Sequence, residues 1–147
     1  MASKIVNQVC TFNRELLGIK RPNPALLPDE EANWLKQALT EEIKEFDDAH
    51  RSGELVPTID ALVDLIYFAI GGLYRCGLNP MMIDACFEVV HDANMQKRKG
   101  QKATRPTDGS VADAVKSEVW ADPAPLIKSI IWGDYDKGGN SSVNQSR

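Results

Sequence analysis

The sequence predicts an all-α fold: a four-helix-bundle-type domain followed by a C-terminal extension that carries one short helix. Three observations predict it. Stretches between residues 3 and 97 repeat apolar residues at helical spacing, separated by links rich in proline and glycine. No stretch alternates apolar and polar residues as a half-buried strand does. At 147 residues, 43% of them hydrophobic and 26% charged, the chain has the size and composition of one globular domain.

Ile5, Val9, Phe12 and Leu16 recur at i, i+4, i+7 and i+11, so residues 3–18 are expected to form a first amphipathic helix. Arg21-Pro22-Asn23-Pro24-Ala25-Leu26-Leu27-Pro28 then reads as a rigid connection. The second helix opens near Asp29, with Glu30 and Glu31 in a first turn whose dipole favours negative charge. It stops before Gly53, a residue suited to the left-handed position beyond a helix end. Its expected apolar stripe is Leu35, Leu39, Ile43 and Phe46.

Pro57 and Thr58 begin the third helix and Gly77 ends it. Residues 58–77 are apolar nearly all the way round, which predicts a buried helix. Gly71 and Gly72 sit inside it, where glycine weakens a helix, and so point to close approach of another helix or subunit. Asn79-Pro80 reads as a cap and a first-turn proline. The fourth helix that follows has Met82, Cys86, Val89 and Val90 on its apolar side and fades near Lys97. From residue 98 to 110 the chain turns basic and irregular, and Asp122-Pro123 caps a short helix holding Leu126, Ile127, Ile130 and Ile131. The expected organisation is a helical domain over 1–100, an extension over 101–133 packing on the domain or on a neighbouring subunit, and a flexible tail over 134–147.

The chemistry lies on the second and third helices. Asp60 and Asp64 are four residues apart on an otherwise apolar helix and share a face. A carboxylate in an apolar interior is costly, or takes up a proton, unless a cation stands beside it. Asp64 has no basic residue within one turn, the nearest following it being Arg75. On the second helix Glu41, Glu42 and Glu45 fill an arc of about 100° beside the apolar stripe. Consecutive helices with a short link pack antiparallel, so this arc can face the aspartates. The result is an oxygen-only cluster, the ligand set of hard divalent cations such as Mg²⁺ or Mn²⁺. Taken singly, the glutamates read as a solvated face and Asp60 as a favourable first-turn charge. Their joint occurrence on consecutive helices favours the metal.

Composition excludes several classes. A net charge of -4 argues against nucleic-acid binding by charge alone. Cys10, Cys76 and Cys86 are too few and scattered for a disulfide framework, so a reducing, cytoplasmic setting is expected. Met1-Ala2-Ser3-Lys4 leads into an amphipathic stretch rather than an apolar leader, and Asp60 and Asp64 interrupt the third helix as a membrane span. No membrane association is expected. His91 stands without a second histidine, a poor start for a transition-metal site.

Glu41-Glu42-x-x-Glu45, then Asp60-x-x-x-Asp64, then Asn94-Met95-x-Lys97, in this order within residues 5–100, resemble the all-α nucleoside triphosphate pyrophosphohydrolases. These are the MazG-like proteins, with phosphoribosyl-ATP pyrophosphohydrolase and the dimeric dUTPases as relatives. Phe12-Asn13 followed by the proline-rich connection is similar to the phage and bacterial branch, which for a phage-encoded chain would mean a host cytoplasm. The resemblance implies a helical homodimer or homotetramer that splits a nucleotide into its monophosphate and pyrophosphate. It implies Mg²⁺ held by Glu41, Glu42, Glu45, Asp64 and, in part, Asp60.

It also implies that Asn94 and Lys97 contact the nucleotide, with help from Lys99 in the basic stretch after them. Trp34, on the carboxylate side of the second helix, is a candidate for stacking on a base, its plainer reading being core or interface. One position departs from the pattern: the family often has Glu-x-x-Asp on the second metal helix, and here that glutamate is Ala61. Asp60, one residue earlier, points about 100° away, which leaves the number of ions open. By analogy the substrate is a deoxypyrimidine triphosphate such as dUTP or dCTP. A phosphoribosyl-ATP pyrophosphohydrolase and a non-enzymatic helical adaptor are the alternatives.

Overall fold

The computed structural model describes residues 1–133, in the order α1 (Lys4–Thr11), α2 (Asp29–Arg51), α3 (Leu55–Arg75), α4 (Pro80–Met95), β1 (Arg98–Lys99), β2 (Ala114–Val115) and α5 (Ala124–Trp132). Among the described residues the regular secondary structure is helical apart from the short antiparallel ladder of β1 with β2. Its contacts divide into two compact units, Met1–Ala85 and Cys86–Arg147, the boundary falling inside α4. The tail expected over 134–147 lies outside the described residues.

In the first unit, the Ser3 hydroxyl caps α1 by accepting the Val6 N–H. The helix runs on through a π-helical turn, Phe12–Leu16, in which the Leu17 N–H reaches the Phe12 carbonyl at 3.2 Å. The buried line is Val6, Val9, Cys10 and Asn13, not the expected Ile5, Val9, Phe12 and Leu16. Ile5 and Leu16 are exposed, and Phe12 sits at the edge with its ring edge-on to Tyr67. The reason is the surface that α1 docks against. Gly71 of α3 is so close that a Cβ there would stand 3.2 Å from Asn13 Nδ2 and 3.8 Å from Val9 Cγ1. A bare backbone accepts medium-sized side chains at the contact and pushes larger ones to the flank.

The same logic rotates α2. Its buried residues are Ala38 and Ala49, and Ile43 of the expected stripe is exposed. Leu35 fills the hollow over Gly72, where a Cβ would stand 2.7 Å from Leu35 Cδ2. The line facing α3 thus passes through Leu35, Ala38, Glu42 and Ala49, about 60° round from the expected stripe and toward the acidic arc. Both glycines of α3 therefore serve close helix approach, as their position in the helix suggested. Gly53 closes α2 with φ +72, as expected.

α3 begins at Leu55 rather than Pro57, which falls in the first turn where its missing N–H has no helical partner to lose. Gly77, with φ +88, ends it beneath the proline connection; a Cβ there would stand 2.1 Å from the Asn23 carbonyl oxygen. The Ala25 N–H donates to the Cys76 carbonyl at 2.9 Å and holds the connection in place. The expectation of a buried helix is corrected. Only the side bearing Ala61, Gly71 and Gly72 is covered, while Leu55, Ile59, Leu62, Ile66 and Leu73 form an exposed apolar stripe opposite it. By length and composition alone α3 would pass as a membrane span.

The Asn79 side chain caps α4 by accepting the Met82 N–H at 3.0 Å, with Pro80 in the first turn. Ile83, Cys86, Val89 and Ala93 are buried, whereas Val90 is exposed, so the apolar side is shifted from the expected one. In the second unit the basic stretch is not wholly irregular: Arg98 and Lys99 pair with Val115 and Ala114. Gly100 makes room for Val115, its Cβ position lying 2.8 Å from Val115 Cγ2. Arg105 donates two hydrogen bonds to Asp113 and holds its carboxyl down at about 2. α5 opens as expected, Asp122 Oδ1 accepting the Ala124 N–H, and ends at Gly133 with φ +83.

Candidate active site

Rotating α2 turns its acids toward α3. Glu42 lies on the contact line itself, and Glu41 and Glu45 lie on one flank of it. On α3, Asp64 shares the inner line with Phe68 and Arg75, and Asp60 precedes it by one turn within about 40°. Asp64 is half-buried and Asp60 exposed. Glu42 Oε2 is closed off from solvent and has no hydrogen-bond partner. Burial raises the Glu42 pKa, and the charges of Glu45, Asp64, Asp60 and Glu41 raise it further, in that order. The other four acids named from the sequence are thus the charges that Glu42 feels.

The nearby cations are engaged elsewhere: Lys44, which also feels the charge of Glu45, bonds Asp48 at 2.5 Å, and Arg51 bonds Asp47 at 3.0 Å. No group of three or more His, Cys, Asp or Glu among the described residues is placed so as to hold a metal ion as it stands. The donor set nevertheless fits a hard divalent cation. It is all oxygen and all anionic, and it contains an enclosed carboxylate oxygen that no protein donor satisfies.

Trp34 is part-exposed on the same flank of α2 as Glu41 and Glu45. Its indole meets Phe68 edge-on at 6.1 Å and carries the Arg75 guanidinium over its ring at 4.2 Å. Arg75 is fixed in turn by Glu31 at 2.7 Å, which also binds Arg21 of the proline connection at 2.6 Å. Burial pushes the Glu31 pKa up, but hydrogen bonds from Arg75 and Arg21 outweigh it and hold the carboxyl below its ordinary range. In the second unit Lys97 Nζ donates to Asn94 Oδ1 at 2.7 Å, so these two predicted residues pair with each other. Lys99 is exposed in β1.

The family model of phosphoribosyl-ATP pyrophosphohydrolase matches residues 9–94. The chain belongs to this family. It is accordingly a pyrophosphohydrolase of the MazG-like superfamily, a hydrolase acting on the acid anhydride bonds of nucleotides. Members of the family are typically dependent on a divalent metal. Among curated proteins none matches the chain significantly. The matched span includes all five acids, Trp34, Arg75 and Asn94, and stops short of Lys97 and Lys99.

A hollow of about 400 Å³ lies along α2 over Asn33, Lys36, Gln37, Thr40 and Glu41. It opens on the side of α2 turned away from α3 and shares only Glu41 with the acids, so it is separate from the acidic arrangement around Glu42. Sequence reasoning missed the Glu31–Arg75–Trp34 chain. Its signal was present: Arg75 follows Asp64 by eleven residues, three helical turns, and so returns to the same face of α3.

Proposed function

We propose that this pyrophosphohydrolase is Mg²⁺-dependent and converts a deoxypyrimidine triphosphate such as dUTP or dCTP to its monophosphate and pyrophosphate. One observation carries the metal and the site: Glu42, whose enclosed oxygen lacks a partner, has its pKa raised by the like charges of Glu45, Asp64, Asp60 and Glu41. Uncompensated like charges at that density are stable only with a cation among them or a shared proton. Glu41, Glu42, Glu45 and Asp64 are the residues that would hold the ion, with Asp60 at the margin. Mn²⁺ would substitute, since it takes the same oxygen ligands.

The bound ion supplies charge neutralisation to the phosphates and acidifies a water molecule. The chain supplies the remainder. The resemblance makes Asn94, Lys97 and Lys99 the candidates for nucleotide contact, lysine having the point charge for phosphate and asparagine both a donor and an acceptor. Trp34 offers an aromatic surface to the base from the flank of α2 that carries Glu41 and Glu45.

The exposed apolar stripe of α3 supports a homodimer, or a dimer of dimers. Leu55, Ile59, Leu62, Ile66 and Leu73 lie on one side of one helix, more contiguous apolar surface than a lone subunit keeps in water. A cytoplasmic location fits the three free thiols.

The family's name favours a second reading, hydrolysis of phosphoribosyl-ATP at the same centre. Pyrophosphate release from the eight common ribo- and deoxynucleoside triphosphates and from phosphoribosyl-ATP, each with Mg²⁺ and with EDTA, separates the two. Selective Mg²⁺-dependent turnover of a deoxypyrimidine triphosphate is the expected result. Turnover of phosphoribosyl-ATP alone would replace the substrate, and turnover of none would leave a helical adaptor.

A further inference from the structure

We propose that Arg75 is a positioning residue for base recognition, holding the Trp34 indole in the one orientation that presents its open side to the nucleotide. The inference rests on the nucleotide reading given above. Three features of the Glu31–Arg75–Trp34 chain support it.

First, Arg75 is committed. Its side chain is only 11% exposed and Glu31's 14%, and the 2.7 Å pair between them is braced by Arg21 from the far side of Glu31. An arginine tied this closely has little freedom left, and its planar guanidinium can lie flat on an aromatic ring as a lysine ammonium cannot. Second, Trp34 is not a core residue. It remains 41% exposed although Arg75 covers its ring and Phe68 meets it edge-on, so two neighbours fix an indole that is still in contact with water. A large apolar ring held by two neighbours yet left in contact with water is arranged to receive something flat.

Third, the register is suitable. Trp34 points within about 20° of both Glu41 and Glu45, and a rise of 1.5 Å per residue puts it about 10 Å along α2 from Glu41. A nucleotide with its phosphates at the acids can extend its base along the same flank toward the indole. The guanidinium also places a positive charge behind the ring, which draws π-density away from the open side and favours an electron-rich carbonyl-bearing base there. The partners of Arg75 are Glu31 and Trp34 rather than any of the five acids, so its effect belongs to binding rather than to the chemical step.

The test is isothermal titration of the full chain, with Mg²⁺, using dUTP whose α–β bridging oxygen is replaced by an imido group, alongside pyrophosphate release from dUTP. Trp34→Phe, Arg75→Met and the double variant form a cycle, and Arg75→Lys keeps the Glu31 pair without the flat stack. Trp34→Phe and Arg75→Met are each expected to weaken binding about three- to five-fold and to raise KM by the same factor, with kcat unchanged. The double variant should be no weaker than Trp34→Phe alone. Arg75→Lys should regain the wild-type melting temperature but not the affinity.

Additive losses in the double variant, wild-type affinity in Arg75→Met or Arg75→Lys, or a fall in kcat as large as the change in KM would each overturn the positioning role while leaving nucleotide hydrolysis intact. A wild-type chain that neither binds the imido analogue nor releases pyrophosphate from any nucleotide would overturn the nucleotide reading, and this proposal with it.

Discussion

Glu42 on α2 and Asp64 on α3 meet as like charges across the helix interface: Glu42 is half-buried with one oxygen enclosed, and Asp64 is, after Glu45, the charge that raises its pKa most. A raised folded-state pKa means that the protonated form is the one folding favours. The contribution of Glu42 is therefore fully present below its ordinary value of 4.5 and is lost as pH rises through the raised value. In EDTA, Glu42→Gln should match the wild type near pH 4 and melt at or above it near pH 7, about where ordinary carboxylates are ionised. Millimolar Mg²⁺ should raise the wild-type midpoint and move that of the variant less. Thermal melts across this pH range, with and without Mg²⁺, measure both effects. A variant less stable than wild type at neutral pH in EDTA would show that the enclosed carboxylate is not strained by its neighbours.

Asp64→Asn should remove activity while leaving helicity unchanged. Loss of one charged ligand at a metal-assisted phosphoryl centre costs several kcal/mol of barrier, so kcat should fall by about 10² or more. Asp60 is exposed and set off from the contact line, and Asp60→Asn should cost about tenfold or less. Initial rates of pyrophosphate release, with circular dichroism as control, decide between them. Equal losses in both variants would make Asp60 a full partner in holding the metal.

The sequence grouped the five acids because carboxylates facing one another from consecutive apolar-faced helices are costly to keep unless a cation joins them, and the like charges that raise the Glu42 pKa are those of the other four. The faces were less legible, and for a physical reason. Ile5, Phe12, Leu16 and Ile43 have the hydrophobicity of core residues, but the actual contacts are made by Val6, Asn13, Ala38 and Ala49. Periodicity identifies an apolar side but does not say how near the neighbouring backbone comes. Gly71 brings it near enough that Val9 and Asn13 take the contact and Phe12 is left at the flank, while Gly72 leaves room for Leu35 of the expected stripe. The same blindness made α3 look buried: an apolar stripe reads alike whether it faces this chain's own core or the outside. The role of Arg75 was only half legible: its spacing from Asp64 returns it to the same face of α3, but pairing it with the Trp34 ring on α2 needs the packing of the two helices.

That outward stripe makes the oligomer testable. Leu62 and Ile66, both largely exposed, stand one turn apart on α3 and away from Glu42, Asp64 and Trp34. Placing a carboxylate at such a position in an apolar interface is strongly unfavourable, but costs little where the residue faces water. Leu62→Glu and Ile66→Glu should each convert the wild-type assembly to a monomer in light scattering after size-exclusion chromatography, with helicity preserved. A monomeric wild type, or variants that keep its mass, would leave the stripe without the partner proposed for it.

Gly77 is the position at which sequence, backbone and neighbour all agree, and it gives the clearest prediction of stability. Its φ of +88 is strained for any residue with a Cβ, and that Cβ would also fall 2.1 Å from the Asn23 carbonyl oxygen. The clash is with backbone, so no rotamer change relieves it, and the proline connection would have to lift from the end of α3. Gly77→Ala should therefore cost about 2–3 kcal/mol, which for a chain of this length lowers the melting midpoint by roughly 4–10 °C. Gly53→Ala separates the two causes. Gly53 has a similar positive φ of +72 but open space around it, so its alanine variant should show only the backbone penalty of about 1 kcal/mol. Equal losses at the two glycines would mean that the contact with Asn23 adds nothing beyond the backbone conformation.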